Sequence, residues 1–180
     1  GTPAFAVCTS GTAALNYGPA VAEAFYQQVP LLVITADRPA ALIDNGHGQS
    51  IRQTRIFDDH LVGKGLLDCD APLEWNAAVI DHALQALKYG PVHLNVPLAE
   101  PLYEAVAPLA AGSLGVQSST VEPMPLEIPD FVRHAKRPLL VVGQWNPSWG
   151  DPEPAVRELA RKGWMIAAEP LSQLPHDAAE

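Results

Sequence analysis

Three polar segments combine residue types that can hold a small anionic or polar molecule. The first is Thr9-Ser10-Gly11-Thr12-Ala13, which follows an apolar run. A turn of small residues between a strand and a helix exposes main-chain N–H groups at the carboxyl edge of a parallel sheet, where ligands bind. The same residues also serve as an ordinary helix cap. The second segment is Thr35-Ala36-Asp37-Arg38-Pro39. A guanidinium at Arg38 can grip a carboxylate with two parallel hydrogen bonds. Asp37 either orients it, neutralises it, or forms a plain surface pair with it. The third is the loop Asp44 to Gln53, dense in hydrogen-bonding groups, in which Gly46 and Gly48 open backbone angles closed to other residues. His47 lies in this loop and could serve as an acid or a base, although a lone loop histidine more often does neither.

Several chemistries are not written in these segments. No phosphate-loop lysine follows Gly11, and Gly46-His47-Gly48 lacks the third glycine and the preceding strand of a dinucleotide fingerprint. No Ser-His-Asp order, metal-ligand cluster or glycosidase carboxylate pair is readable. An enzyme built on these residues takes its hard chemistry from a cofactor. A non-catalytic α/β ligand-binding or assembly module stays open, because such sheets host many functions.

The elements that must position the segments follow from hydropathy. Phe5 to Thr9 and Leu31 to Ala36 read as buried strands, with Gly11 to Gln28 mostly helical between them, and Val92 to Val96 reads as a third, weaker strand. Leu73, Ala77, Ile80, Leu84 and Leu87 mark one stripe of a core-covering helix, started at Asp70 and Pro72 and stopped at Gly90 and Pro91. On it, Asp81 and His82 read as surface or core-edge groups. Residues 104–129 are rich in Ala, Gly, Ser and Pro without periodicity, the mark of a linker. The alternation then restarts: a helix over Phe131 to Ala135, a strand within Pro138 to Gln144, a helix capped by Asp151, and a strand at Met165 to Ala168. The expected fold is α/β, a partial parallel-sheet domain over 1–103 and the start of a Rossmann-like domain over 130–180.

The chain has 180 residues, 48% of them hydrophobic, enough for a domain or parts of two. A net charge of −9 with 11 scattered basic residues argues against a nucleic-acid partner. No apolar run approaches the roughly 20 residues of a membrane span. Two distant cysteines, Cys8 and Cys69, suggest free thiols, with Cys8 buried, and a reducing, cytoplasmic setting. Gly1 is not a start methionine and the last residues close no element, so a piece of a longer protein is expected.

The run Thr9 to Asn16, with Pro19-Ala20 and Glu23-Ala24, resembles the pyrimidine-binding domain of thiamine diphosphate enzymes. Acetolactate-synthase-like members carry Ser-Gly-Pro-Gly here, and Thr12-Ala13 replaces the Pro-Gly pair. That departure is similar to the branch of 2-succinyl-5-enolpyruvyl-6-hydroxy-3-cyclohexene-1-carboxylate synthases of menaquinone biosynthesis. Thr35 to Pro39, Leu42-Ile43-Asp44, Gln49 to Gln53 and Val92 to Tyr103 resemble that branch in order and spacing. The resemblance implies thiamine diphosphate with Mg2+ or Mn2+, the substrates 2-oxoglutarate and isochorismate, and a homodimer. It implies that Arg38 holds a substrate carboxylate, that Gln49 acts near the reacting carbon, and that Ser10, Gly11 and Thr12 line the cofactor; no metal ligand is assigned. The position before Gln49, often Asn in the family, is Gly48 here. The family's activating glutamate, upstream of such a segment, and its Gly-Asp-Gly metal motif are not found, so the 180-residue chain alone is expected to be inactive. An acetolactate-synthase-like decarboxylase is the nearest alternative enzyme.

Overall fold

The computed structural model describes residues 3–100, 129–146 and 149–178. The chain divides into two compact units, Gly1–Ser119 and Thr120–Glu180. The expected linker lies outside the described residues up to its final position.

In the first unit, strands β1 (Ala4–Cys8), β2 (Leu31–Asp37), β3 (Gly63–Leu66) and β4 (Val92–Pro97) form one sheet in the order β1-β2-β4-β3. Every neighbouring pair is parallel. Helix α1 (Gly18–Tyr26) connects β1 to β2, and α2 (Leu73–Ala86) connects β3 to β4. The stretch expected to be helical from Gly11 begins as a 3-10 helix over Gly11–Tyr17 and becomes α-helical only at Gly18, with a proline in the first turn.

The two helices cover opposite faces. Val21 of α1 packs on Val33 and Phe57, whereas Ala83 of α2 packs on Val92 and Leu94, with Leu32 and Ile34 beside them. Side chains alternate across a strand, so Val33 points one way and Leu32 and Ile34 the other. The α2 stripe is apolar through Ile80, Ala83, Ala86 and Leu87, but Leu73 is exposed and contributes nothing to it. Asp70 does not cap α2: Pro72 occupies the cap, and the Asn76 side chain ties the helix start to both main-chain groups of Asp68.

Strand β3 is an addition to the sequence reading. Gly63 and Gly65 face α2, where a Cβ would come to 2.7 Å of Ala86 Cβ and of Val79 Cγ1, respectively. Glycine weakens a strand intrinsically, yet only glycine lets the helix close this near.

The second unit holds α3 (Asp130–Arg133), β5 (Leu139–Val142), α4 (Glu153–Arg161) and β6 (Met165–Ala168). β5 and β6 pair in parallel, a single βαβ unit with Val142 and Val156 buried. Asp151 Oδ1 accepts the Glu153 N–H at 2.9 Å and so caps α4, one residue ahead of the cap position at Pro152. Among the described residues no helix is long and apolar enough to cross a membrane.

Candidate functional site

Because β1 and β2 run parallel, the Thr9–Ala13 turn and Arg38 both leave the carboxyl edge of the sheet. Gly11 takes φ +85°, and a Cβ there would lie 3.2 Å from the Cα and carbonyl oxygen of Gln49. Glycine is therefore required twice, for the angle and for the approach. Gln49 itself sits at φ +55°, uncommon for a side chain of its length. Together Thr9, Ser10, Gly11, Thr12, Ala13, Gln49, Ser50 and Ile51 line a cavity of about 320 Å3. The structure thus brings Gln49 together with Ser10, Gly11 and Thr12.

Arg38 lines a neighbouring cavity of about 480 Å3 with Asp37, Ile43, Asp44, Ile51, Arg52 and Gln53 among its walls. Ile51 is common to both cavities. The guanidinium pairs with Glu100 at 2.5 Å, not with Asp37. This corrects the Asp37–Arg38 pairing raised by the sequence: Asp37 turns inward, 4% exposed, and its Oδ1 accepts the Arg38 main-chain N–H. Hydrogen bonding to Arg38 holds the Glu100 carboxyl below its ordinary range. Arg38 Nε is buried and has no acceptor among the described residues, a donor that an anion would satisfy. His47 is exposed, its ring 3.4 Å from the Gly48 carbonyl oxygen. His82 is exposed, and Cys8 is only half-buried, its thiol pushed up by desolvation.

Sequence reasoning missed a buried polar layer beneath these cavities. On the α1 face, Thr35, Asp37, His93 and Asn95 lie side by side in the register Val33 to His93 and Thr35 to Asn95. Thr35 Oγ1 donates to Asn95 Oδ1 at 2.8 Å and lies 2.7 Å from His93 Nε2. With its own proton committed to Asn95, the hydroxyl accepts from His93, which fixes the Nε2–H tautomer of a neutral ring. Burial pushes His93 down from 6.5 to about 4; the Asp58 carboxylate opposes this and Lys64 adds to it. Its ring stands edge-on to Phe57 at 5.1 Å. The alternation Val92-His93-Leu94-Asn95-Val96 was the available signal, since period two in a buried strand means one polar face.

The fit to a thiamine cofactor is partial. The cavity at Gly11 is lined by uncharged side chains, all small but Gln49 and Ile51, suited to one face of a neutral heterocycle. It offers no charged group to a diphosphate, and among the described residues no group of three or more His, Cys, Asp and Glu is placed to hold a metal ion.

Residues 1–56 match the family described as thiamine pyrophosphate enzyme, N-terminal TPP binding domain. With the parallel sheet and the turn after β1, this relates the first unit to the class of thiamine-pyrophosphate-dependent enzymes. Within that class the chain is a relative of proteins named 2-succinyl-5-enolpyruvyl-6-hydroxy-3-cyclohexene-1-carboxylate synthase. The one from Flavobacterium johnsoniae is 38% identical over 97% of this chain and 33% of its own length. That from Flavobacterium psychrophilum is 46% identical over 81% of this chain and 27% of its own, and that from Desulfotalea psychrophila 41% over 79% and 29%. The chain spans about a third or less of these relatives.

Proposed function

We propose that the complete protein decarboxylates 2-oxoglutarate with thiamine diphosphate and adds the succinyl unit to isochorismate, a step of menaquinone biosynthesis. The observation that carries this reading is the uncharged cradle between Gly11 and Gln49, set beside an arginine whose Nε donor has no acceptor among the described residues. The names of the relatives supply the product.

When bound, the cofactor supplies the electron sink that lets a 2-oxo acid lose carbon dioxide. Ser10, Gly11 and Thr12 line its pyrimidine end. Arg38 binds a substrate carboxylate, trading its contact with the exposed Glu100 for the ligand. Gln49, whose main chain passes over Gly11, acts near the reacting carbon. Mg2+ or Mn2+ and the diphosphate are held by residues outside this chain, contributed across a homodimer. In this reading 1–103 is part of a pyrimidine-binding domain, 104–129 a linker and 130–180 part of a central α/β domain. A reducing cytoplasm suits the free thiols of Cys8 and Cys69.

The test is an assay of the full-length protein with thiamine diphosphate, Mg2+ and 2-oxoglutarate. Cofactor-dependent carbon dioxide release, with a product that requires isochorismate, is expected. Turnover of pyruvate but not 2-oxoglutarate would assign an acetolactate-synthase-like enzyme instead, and failure to bind the cofactor would leave a ligand-binding module. The 180-residue chain alone should give no decarboxylation above background.

A further inference from the structure

Gln53 is 1% exposed, and its amide is fully used. Its Oε1 accepts the Gly11 N–H at 3.0 Å, and its Nε2 donates to the Ala36 carbonyl at 2.6 Å and to Asn95 Oδ1 at 2.9 Å. Gly11 N–H can only donate and the Ala36 carbonyl can only accept, so the amide has one orientation. Asn95 continues the chain: its Nδ2 donates to Asp37 Oδ2 at 2.8 Å, and Asp37 Oδ1 accepts the Arg38 N–H at 2.8 Å. One hydrogen-bonded path therefore runs from the main chain of Gly11 to the main chain of Arg38, through side chains that are all buried. Its two ends lie in the two segments that line the neighbouring cavities.

We propose that Gln53 is a positioning residue that holds the turn at Gly11 and the Arg38 segment in fixed register through Asn95 and Asp37. The Gly11 N–H does not face a ligand, as an open helix N-terminus would; it is spent on fixing the turn. A side chain needed only for its volume would be replaceable by methionine, which matches glutamine in length. Here the polar atoms carry the role, because without them the Gly11 N–H and the Ala36 carbonyl each lose a side-chain partner and Asn95 Oδ1 keeps only Thr35. The kinetic part of this proposal rests on the functional reading above; the structural part does not.

The experiment uses the full-length protein and two substitutions of Gln53. In Gln53→Met, peptides containing Gly11 and Arg38 should exchange amide hydrogen together, roughly tenfold faster than in the wild type, with the core of α2 unchanged. Gln53→Glu keeps one acceptor for Gly11 but turns its other oxygen toward two acceptors, the Ala36 carbonyl and Asn95 Oδ1. That oxygen fits only when protonated, and burial raises the pKa of the introduced carboxyl. Its kcat/KM for 2-oxoglutarate should therefore recover toward wild type on going from about pH 8 to about pH 6, a limb the wild type lacks. Asn95→Leu should release the Arg38 end while Gly11 stays protected, and it decides the matter if Gln53→Met does not fold. Unchanged exchange at both ends in folded Gln53→Met, or release of Gly11 alone, would overturn the proposal. So would a Gln53→Glu pH profile that follows the wild type. If the wild-type protein neither binds thiamine diphosphate nor uses 2-oxoglutarate, the functional reading fails, and the exchange measurement still decides the role of Gln53.

Discussion

The two faces of the β2–β4 pair carry opposite chemistry. Toward α2 stand Leu32, Ile34, Val92 and Leu94, packed against Ala83 and Ile80. Toward α1 stand Val33 and then Thr35, Asp37, His93 and Asn95, all buried. The apolar face is held by exclusion of water, which is indifferent to direction. The polar face must give every donor an acceptor and so admits one arrangement. The difference explains why the face under the candidate site is the polar one: a network fixes main-chain positions that a greasy contact would leave adjustable.

Truncating the apolar face should cost most. Leu94→Ala should lower unfolding stability by roughly 2–5 kcal/mol, read as a shift in urea midpoint, because neighbours on a sheet and a helix cannot collapse into the void. A loss under half a kcal/mol would mean that α2 is not packed there as described.

The polar face should reveal itself through pH. His93 is held neutral in the fold, its pKa depressed from 6.5 to about 4. Between those values the unfolded chain binds a proton that the folded chain refuses, so stability is full above about pH 6.5 and falls as pH drops toward about 4. The contribution of this group is roughly 2–3 kcal/mol at the acid end. His93→Gln, which keeps a donor for Thr35, should remove that part of the acid loss. Equal acid sensitivity in both proteins would show that His93 is not the group responsible.

At the carboxyl end of the polar face, Arg38→Ala should reduce kcat/KM of the full-length enzyme ten- to a hundredfold, or roughly 1.5–3 kcal/mol of transition-state stabilisation. Arg38→Lys should restore only part, since an ammonium lacks the two-pronged geometry, and thiamine diphosphate affinity should hardly move. The contrary expectation is an ion pair with Glu100, itself 54% exposed, whose loss would cost little. Wild-type kinetics for both substrates would remove Arg38 from the site.

Gly65→Ala gives the smallest effect and sharpens the contrast. Its Cβ would meet Val79 Cγ1 at 2.7 Å and Leu94 Cδ2 at 2.8 Å, on the apolar face alone. A cost of roughly 1–2 kcal/mol is expected, and combining it with Leu94→Ala should cost less than the sum, because the truncation supplies the missing room. Strict additivity would deny that the two residues share that space.

How much was legible depends on whether neighbours in sequence or neighbours in space decide. Leu31 to Ala36 announces a buried strand by itself, and the structure gives Leu31–Asp37. Gly63-Lys64-Gly65-Leu66 announces nothing, because glycine and lysine are poor strand formers; it is a strand because Val92 to Asn95 pairs with it and α2 lies over it. The turn at Gly11 and the arginine after β2 stood out by composition. That Gly11 is clamped by Gln53, and that Arg38 turns to Glu100 while Asp37 turns to Asn95, did not.

The sequence by itself determined the alternation of strands and helices, the parallel sheet, the kinship with thiamine-dependent enzymes, and the small-residue turn that a cofactor's neutral ring would need. These rest on local periodicity and on motifs of adjacent residues. Only the tertiary structure decided which polar groups share a proton. Gln53 reaches Gly11 across 42 positions and Asn95 reaches Asp37 across 58. A hydrogen bond depends on a few tenths of an ångström between groups that the chain brings together only when the sheet has closed.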